Sequence, residues 1–312
     1  MRKPSPGSTS ATAESSAVVP SQGSWRDYLV LGKPLIVALL LATTWAAMVV
    51  AGGRLPDPAL ALWTLLGGGM TAAGASALNQ YIDRDLDGRM GRTQTRPLPS
   101  GRIPPTRAFL LGAAMVLGGV VTLAALVNPL SALLAATGAV YYVAVYSILL
   151  KRATPQNIVI GGGAGAIPAL VGWAAVTGSL AMPALVLFAI VFFWTPPHFW
   201  ALALTRSKEY LGAGLPMLPV VYGEAATRQV ILLYAIQLVA VTLLLPGLGM
   251  MGLFFFLAAA VLGSLFVWRA WTLFKRGGRR HAWALYRYSS VYLALLFAAM
   301  VGDVILIGGP RG

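Results

Sequence analysis

Apolar runs of near membrane-spanning length alternate along the chain with short polar gaps, and the basic residues gather in those gaps. A helix needs about 20 residues to cross the roughly 30 Å hydrocarbon layer. Nine runs approach that length: Pro34 to Gly52, Ala59 to Leu78, Ala108 to Val127, Pro129 to Leu150, Asn157 to Thr177, Ala181 to Leu204, Val230 to Leu245, Gly252 to Trp271 and Tyr288 to Ile307. The pattern predicts an all-α, polytopic membrane helical bundle of about nine transmembrane helices. No block of soluble-domain size is left over, so one membrane-embedded domain is expected over residues 25–312. Residues 1–24 are rich in Ser, Ala, Pro and Thr, with no apolar block behind Arg2 and Lys3. They read as a disordered cytoplasmic tail and not as a signal peptide.

Composition narrows the class. The chain is 58% hydrophobic and only 10% charged, against roughly 25% charged in a soluble domain. It has no cysteine and only two histidines, His198 and His281. Disulfides, thiolate chemistry and a multi-histidine metal cage are thereby excluded. A net charge of +14 invites a nucleic-acid reading, but that needs a basic face on a soluble fold. If the gaps alternate sides, all of the 23 Lys and Arg residues except Arg54 and Arg311 fall on one side. The positive-inside rule then puts the N-terminus in the cytoplasm and the C-terminus outside, in a cell inner (plasma) membrane. The gaps after the second, sixth and eighth spans are the long ones and lie on the basic side, so the chemistry is expected at the cytoplasmic face.

The gap after the second span reads NQYIDRDLDGRMGRTQTRPLPSGR, from Asn79 to Arg102. Asn79, Asp83 and Asp87 stand at i, i+4 and i+8, so a helix continuing past Leu78 stacks them on one face with about 40° of drift per step. Asp85 points the other way. Carboxylates at membrane depth are costly unless paired, solvated or metal-bound, which makes them candidates for function. Mg²⁺ suits them, because it takes one or two carboxylates and completes its shell with water and phosphate oxygens. Arg84, Arg89, Arg92, Arg96 and Arg102 follow, and guanidinium groups bind phosphate bidentately. Acid followed by base suggests a metal-bridged diphosphate; the plainer alternative is a loop whose acids pair with its own arginines.

A second polar constellation runs from Phe192 to Gly223, FFWTPPHFWALALTRSKEYLGAGLPMLPVVYG. Pro196 and Pro197 are expected to interrupt the sixth span. His198 follows them and can exchange a proton or ligate a metal, although a lone intramembrane histidine is often only bonded between helices. Glu209, between Lys208 and Tyr210, is a candidate second metal ligand or a solvated loop acid. Lys151 and Arg152 close the fourth span and are either topology anchors or partners of a diphosphate. The stretch IGGGAGAIP, Ile160 to Pro168, mimics a dinucleotide fingerprint, but no strand precedes it. Its small residues are expected to let helices approach closely.

These blocks, together with GKP at Gly32 and LKRATPQN before the glycine-rich stretch, resemble in their order and spacing the UbiA superfamily of intramembrane prenyltransferases. The resemblance runs from about Trp25 to the C-terminus. TPPHFW and PMLPVV are similar to the branch acting on haem and less like relatives that prenylate quinone or chlorophyll precursors. The resemblance implies that Asn79, Asp83 and Asp87 bind Mg²⁺, with Glu209 standing where the superfamily usually has a second aspartate-rich motif. It implies catalytic roles for Asp83, Asp87, Lys151 and His198. Substrate contacts are implied for Asn79, Arg92, Arg96, Arg152, Trp194, Phe199, Lys208 and Tyr210. The implied reaction transfers the farnesyl group of farnesyl diphosphate to the 2-vinyl group of haem B, adds water, and yields haem O and diphosphate. Haem B is then a substrate and not a prosthetic group, and the lipid bilayer and a haem-modifying or oxidase-assembly partner are the expected surroundings. A related prenyltransferase of aromatic acids and a secondary transporter stand as alternatives.

Overall fold

The computed structural model describes residues 23–306 and 308, so the predicted tail lies outside the described residues except for Gly23 and Ser24. Ser24 caps the short helix α1, Trp25–Leu31, in a capping box with Asp27. Arg102 donates to the Asp27 carboxylate at 2.9 Å, tying α1 to the polar segment after the second span. That guanidinium is the main reason the Asp27 carboxyl is held below the usual carboxylate range.

The long helices are α2 (Pro34–Gly52), α3 (Pro58–Asp87), α4 (Pro105–Leu126), α5 (Pro129–Val140), α6 (Asn157–Thr177) and α7 (Met182–Thr205). After two short helices, α8 (Ser207–Gly212) and α9 (Leu218–Val221), come α10 (Gly223–Thr242), α11 (Leu244–Gly247), α12 (Leu253–Arg276) and α13 (Arg279–Leu306). Four of these helices begin on proline, Pro34, Pro58, Pro105 and Pro129. There the fixed φ suits the first turn and the missing N–H has no intrahelical partner to lose. The protein is a multi-pass membrane bundle: among the described residues eight helical segments are long and apolar enough to span. The ninth expected span is α3, a helix of 30 residues that carries glycines in its middle and the acids at its end.

Large apolar side chains point outward, with Leu35 at 76% and Leu253 at 70% exposure, as lipid-facing positions require, while Trp200, Phe255 and Tyr292 are buried. Glycines set the closest approaches. A Cβ on Gly74 would lie 2.7 Å from the Val116 amide of α4, and one on Gly67 would lie 2.9 Å from the Gly119 carbonyl. The stretch IGGGAGAIP behaves as expected of small residues: a Cβ on Gly161 would collide with the Tyr146 ring, and one on Gly162 would lie 2.9 Å from Thr195.

Two expectations need correction. Pro196 and Pro197 do not break the sixth span, because α7 runs through both. The prolines cost the Phe192 and Phe193 carbonyls their intrahelical donors, a loss tolerated in a membrane helix buried among its neighbours, as Pro196 and Pro197 are. The long loop after the eighth span is also largely absent. Helices α12 and α13 extend through the basic residues and leave only Gly277 and Gly278, at φ 60° and 84°, to turn the chain. Hydropathy marks where lipid ends, whereas Arg, Lys and Leu go on favouring helix beyond it.

Candidate active site

The acid-rich end of α3 stays helical to Asp87, so the predicted stacking is realised. Asn79, Asp83 and Asp87 are buried, at 3%, 1% and 3% exposure, while Asp85 faces out. Each buried acid meets a cation. Lys151 donates to Asp83 Oδ2, and Asn79 Nδ2 donates to the same oxygen at 2.7 Å. Arg96 pairs with Asp87 Oδ2 at 2.6 Å, so the arginines of the polar segment do serve its own acids in part. The second oxygen of Asp83 is buried without a hydrogen bond, with the Arg152 guanidinium 4.0 Å away. A buried carboxylate oxygen left over in this way is costly and fits a hard cation, which needs only one or two protein carboxylates.

Three residues complete this end without having been predicted. Lys33 donates to Asn79 Oδ1 at 2.8 Å and reaches the Tyr142 hydroxyl at 3.3 Å. Burial draws its ammonium down to about 8, Arg96 adds to the effect, and Asp83 and Asp87 oppose it. Asn79 also donates to Ser147 Oγ at 2.9 Å and accepts from Tyr142 at 3.2 Å. Tyr142 and Ser147 are five residues apart, a separation of about 140° around an α-helix. They share one partner because α5 passes into a π-helix over Tyr141–Leu150, in which Ser147 Oγ bonds the Tyr142 carbonyl at 2.8 Å. The same winding delivers Lys151, whose amide bonds the Tyr146 carbonyl at 2.9 Å. Short π segments are rare and often mark function.

The second constellation is assembled between α7 and α13. His198 is buried, stacks on Trp194 at 4.4 Å between centroids, meets Phe199 edge-on at 5.2 Å and lies 4.7 Å from Tyr286. Its Nδ1 is 2.6 Å from Ser289 Oγ. Ser289 gives its only hydroxyl proton to the Tyr286 carbonyl at 2.7 Å. The imidazole must therefore donate from Nδ1, which leaves the Nε2 lone pair free to accept a proton or to bind a metal. Trp194 donates to the Ser289 carbonyl at 2.7 Å, locking the same corner.

The short helix α8 joins the two regions. Glu209 accepts from Arg206 at 3.1 Å and from the Arg92 amide at 3.4 Å. Among the described residues no three acidic or histidine side chains converge, so Glu209 is not gathered in with Asp83 and Asp87. Tyr210 is buried, and that burial raises its phenol while Arg92 draws it down; Glu209, Arg206 and Tyr286 also act on it. Arg92, Arg152 and Lys208 are exposed.

The bundle can now be set beside known proteins. A model of the UbiA prenyltransferase family matches residues 39–297. The chain belongs to this family. A Roseiflexus castenholzii protein named protoheme IX farnesyltransferase is 53% identical over 89% of this chain, and the chain spans about half (52%) of that relative's length. A Gloeobacter violaceus protein of the same name is 50% identical over 90% of the chain, which here covers 92% of the relative. A UbiA homolog from Archaeoglobus fulgidus, solved bound to GPP and Mg²⁺, superposes with a TM-score of 0.63 at 20% identity, covering 88% of this chain and 99% of that one. At that identity the likeness establishes the fold.

Lys33, Tyr142, Ser147, Tyr286 and Ser289 thus join the family motifs by proximity. Only Lys33, inside GKP, carried a signal in the sequence, and there it read as one more basic residue at a span end.

Proposed function

We propose that this family member is a Mg²⁺-dependent intramembrane prenyltransferase. In this reading it moves the farnesyl group of farnesyl diphosphate onto the 2-vinyl group of haem B, with addition of water, and releases haem O and diphosphate. The observation that carries the reading is the buried pair Asp83 and Asp87, ringed by Arg96, Lys151 and Arg152, with Lys33 held on Asn79 beside them. The names of the bacterial relatives support the haem substrate. The Mg²⁺ and GPP in the archaeal homolog support the diphosphate chemistry.

Asn79, Asp83 and Asp87 would hold Mg²⁺, which when bound supplies Lewis-acid charge for the departing diphosphate. The chain's own cations do the remaining electrostatic work. Lys33, Arg92, Arg96, Lys151 and Arg152 bind phosphate oxygens and stabilise the negative charge that grows as the C1–oxygen bond of the farnesyl group breaks. The aromatic faces of Phe193, Trp194 and Phe199 stabilise the allylic cation. The terminal vinyl carbon attacks C1, forming the new carbon–carbon bond and leaving the positive charge beside the pyrrole. Water adds there, and its proton passes to the free Nε2 of His198. Glu209 ties the Arg92 backbone to α8, next to the buried Tyr210.

The site is assigned to the cytoplasmic side of a bacterial inner (plasma) membrane, with the N-terminus inside and the C-terminus outside. Haem O would pass from there to a haem-modifying or oxidase-assembly partner. Incubating the purified chain with labelled farnesyl diphosphate and either haem B or 4-hydroxybenzoate tests the assignment. Label in haem O is expected. Label in the benzoate, or diphosphate moved across vesicles uncleaved, overturns it.

A further inference from the structure

A cavity of about 410 Å³ opens between the ends of α7 and α13, lined by Thr205, Arg206, Arg279, Arg280 and Trp283. Arg206 pairs with Glu209. Arg279 and Arg280, both exposed, make no ion pair among the described residues. Basic residues at a membrane surface often only anchor topology, but this group continues into a built surface. Trp283 lies 5.2 Å from Tyr286, Tyr286 lies 4.7 Å from His198, and His198 lies 4.4 Å from Trp194. Along α13, Arg279, Trp283, Tyr286 and Ser289 recur at helical spacing on one face, which the Ser289 contact to His198 turns toward α7. One seam between two helices thus has a guanidinium mouth, a wall of flat rings and a buried imidazole.

We propose that this mouth binds the two propionate carboxylates of the porphyrin, through Arg279 and Arg280 with help from Arg206. The inference rests on haem B being the acceptor. A porphyrin is a flat apolar plate with both carboxylates on one edge and its vinyl groups on the opposite edge. A mouth with two guanidinium groups, unpaired among the described residues, beside the Trp283 ring suits its carboxylate edge. Guanidinium groups take carboxylates as paired, charge-assisted hydrogen bonds, and the start of a long helix adds a favourable field for anions. Anchoring the carboxylates at the mouth turns the vinyl edge inward, toward the His198 end of the seam. A phospholipid headgroup offers anionic oxygens too, but it has no flat body to lie along the aromatic wall.

The test compares haem B with its dimethyl ester, in which the carboxylates are masked, using the full chain in detergent and in nanodiscs of neutral lipid. Binding is read from the Soret band and turnover from haem O. The wild-type chain is expected to bind the ester about tenfold to a hundredfold more weakly than haem B. The double variant Arg279→Gln, Arg280→Gln should bind haem B as weakly as the ester and no longer tell the two apart, with its affinity for farnesyl diphosphate unchanged. Arg279→Lys should recover part of the discrimination. Equal wild-type affinity for acid and ester, or a variant that weakens both alike, overturns the proposal. So does a variant effect that appears with anionic lipid and vanishes in neutral nanodiscs, which would assign the arginines to headgroups. A wild-type chain that discriminates acid from ester yet forms no haem O would overturn the proposed reaction and leave the carboxylate site standing. Failure to bind haem B overturns both.

Discussion

The two polar regions of this bundle are built on opposite plans. At the end of α3 the acids come from one helix and the structure surrounds them with cations from three other segments, Lys33 before α2, Arg96 of the polar segment after α3, and Lys151 with Arg152 after the π-helix. On the α7–α13 seam a buried imidazole is fixed by a hydroxyl and aromatic faces, and the formal charges stay at the mouth of the seam. The first arrangement suits binding and dispersing the charge of a polyanion. The second suits a neutral base held in one tautomer against a flat apolar substrate. The proposed prenyl transfer ending in hydration would need both, and separating them would keep the proposed base from being captured by the proposed diphosphate site.

The sharpest way to break the contrast is at the acids. Asp83→Asn or Asp87→Asn should lower haem O formation by about a thousandfold, the several kcal/mol expected of a lost metal-ligand carboxylate, with membrane insertion intact. Wild-type turnover in both variants would leave the charged end without a metal role. Lys151→Met asks what the cations contribute when no substrate is present. It strips the buried Asp83 carboxylate of its partner and should cost about 3 kcal/mol in unfolding, the low end for such a pair, because Arg152 stands 4.0 Å from the other oxygen. Adding Asp83→Asn to it should restore most of that stability, and an additive loss would deny the coupling.

On the seam, His198→Ala should lose haem O formation more severely than farnesyl diphosphate binding. Ser289→Ala should repeat this more mildly, by about tenfold to a hundredfold, because the ring loses the acceptor that sets its tautomer. A matching loss of diphosphate affinity in either variant would make the seam a packing element only. The smallest effect is expected for Glu209→Gln, which removes a half-exposed ion pair worth less than about 1 kcal/mol. A marked rise in the Mg²⁺ concentration needed for turnover would instead restore Glu209 as a ligand.

Much of this was legible before any coordinates. The spans and the shared face of Asn79, Asp83 and Asp87 follow from hydrophobic length and periodicity within single segments. The errors were of one kind. Proline at Pro196 and Pro197 predicts a break by its local chemistry, yet packing that buries both prolines kept α7 whole. Polar residues after Trp271 and before Tyr288 predict a loop, yet both helices continue through them.

By itself, then, the sequence determined that the fold is an all-helical membrane bundle and which helix carries the acids, because hydrophobic length and the 3.6-residue repeat are properties of a few consecutive turns. Only the tertiary structure decided which cation meets which acid, that π winding brings Tyr142 and Ser147 onto Asn79, and that Ser289, 91 residues from His198, fixes its tautomer. Those choices depend on how closely glycine-faced helices can approach and which side chains then share a buried space, and no local pattern encodes that.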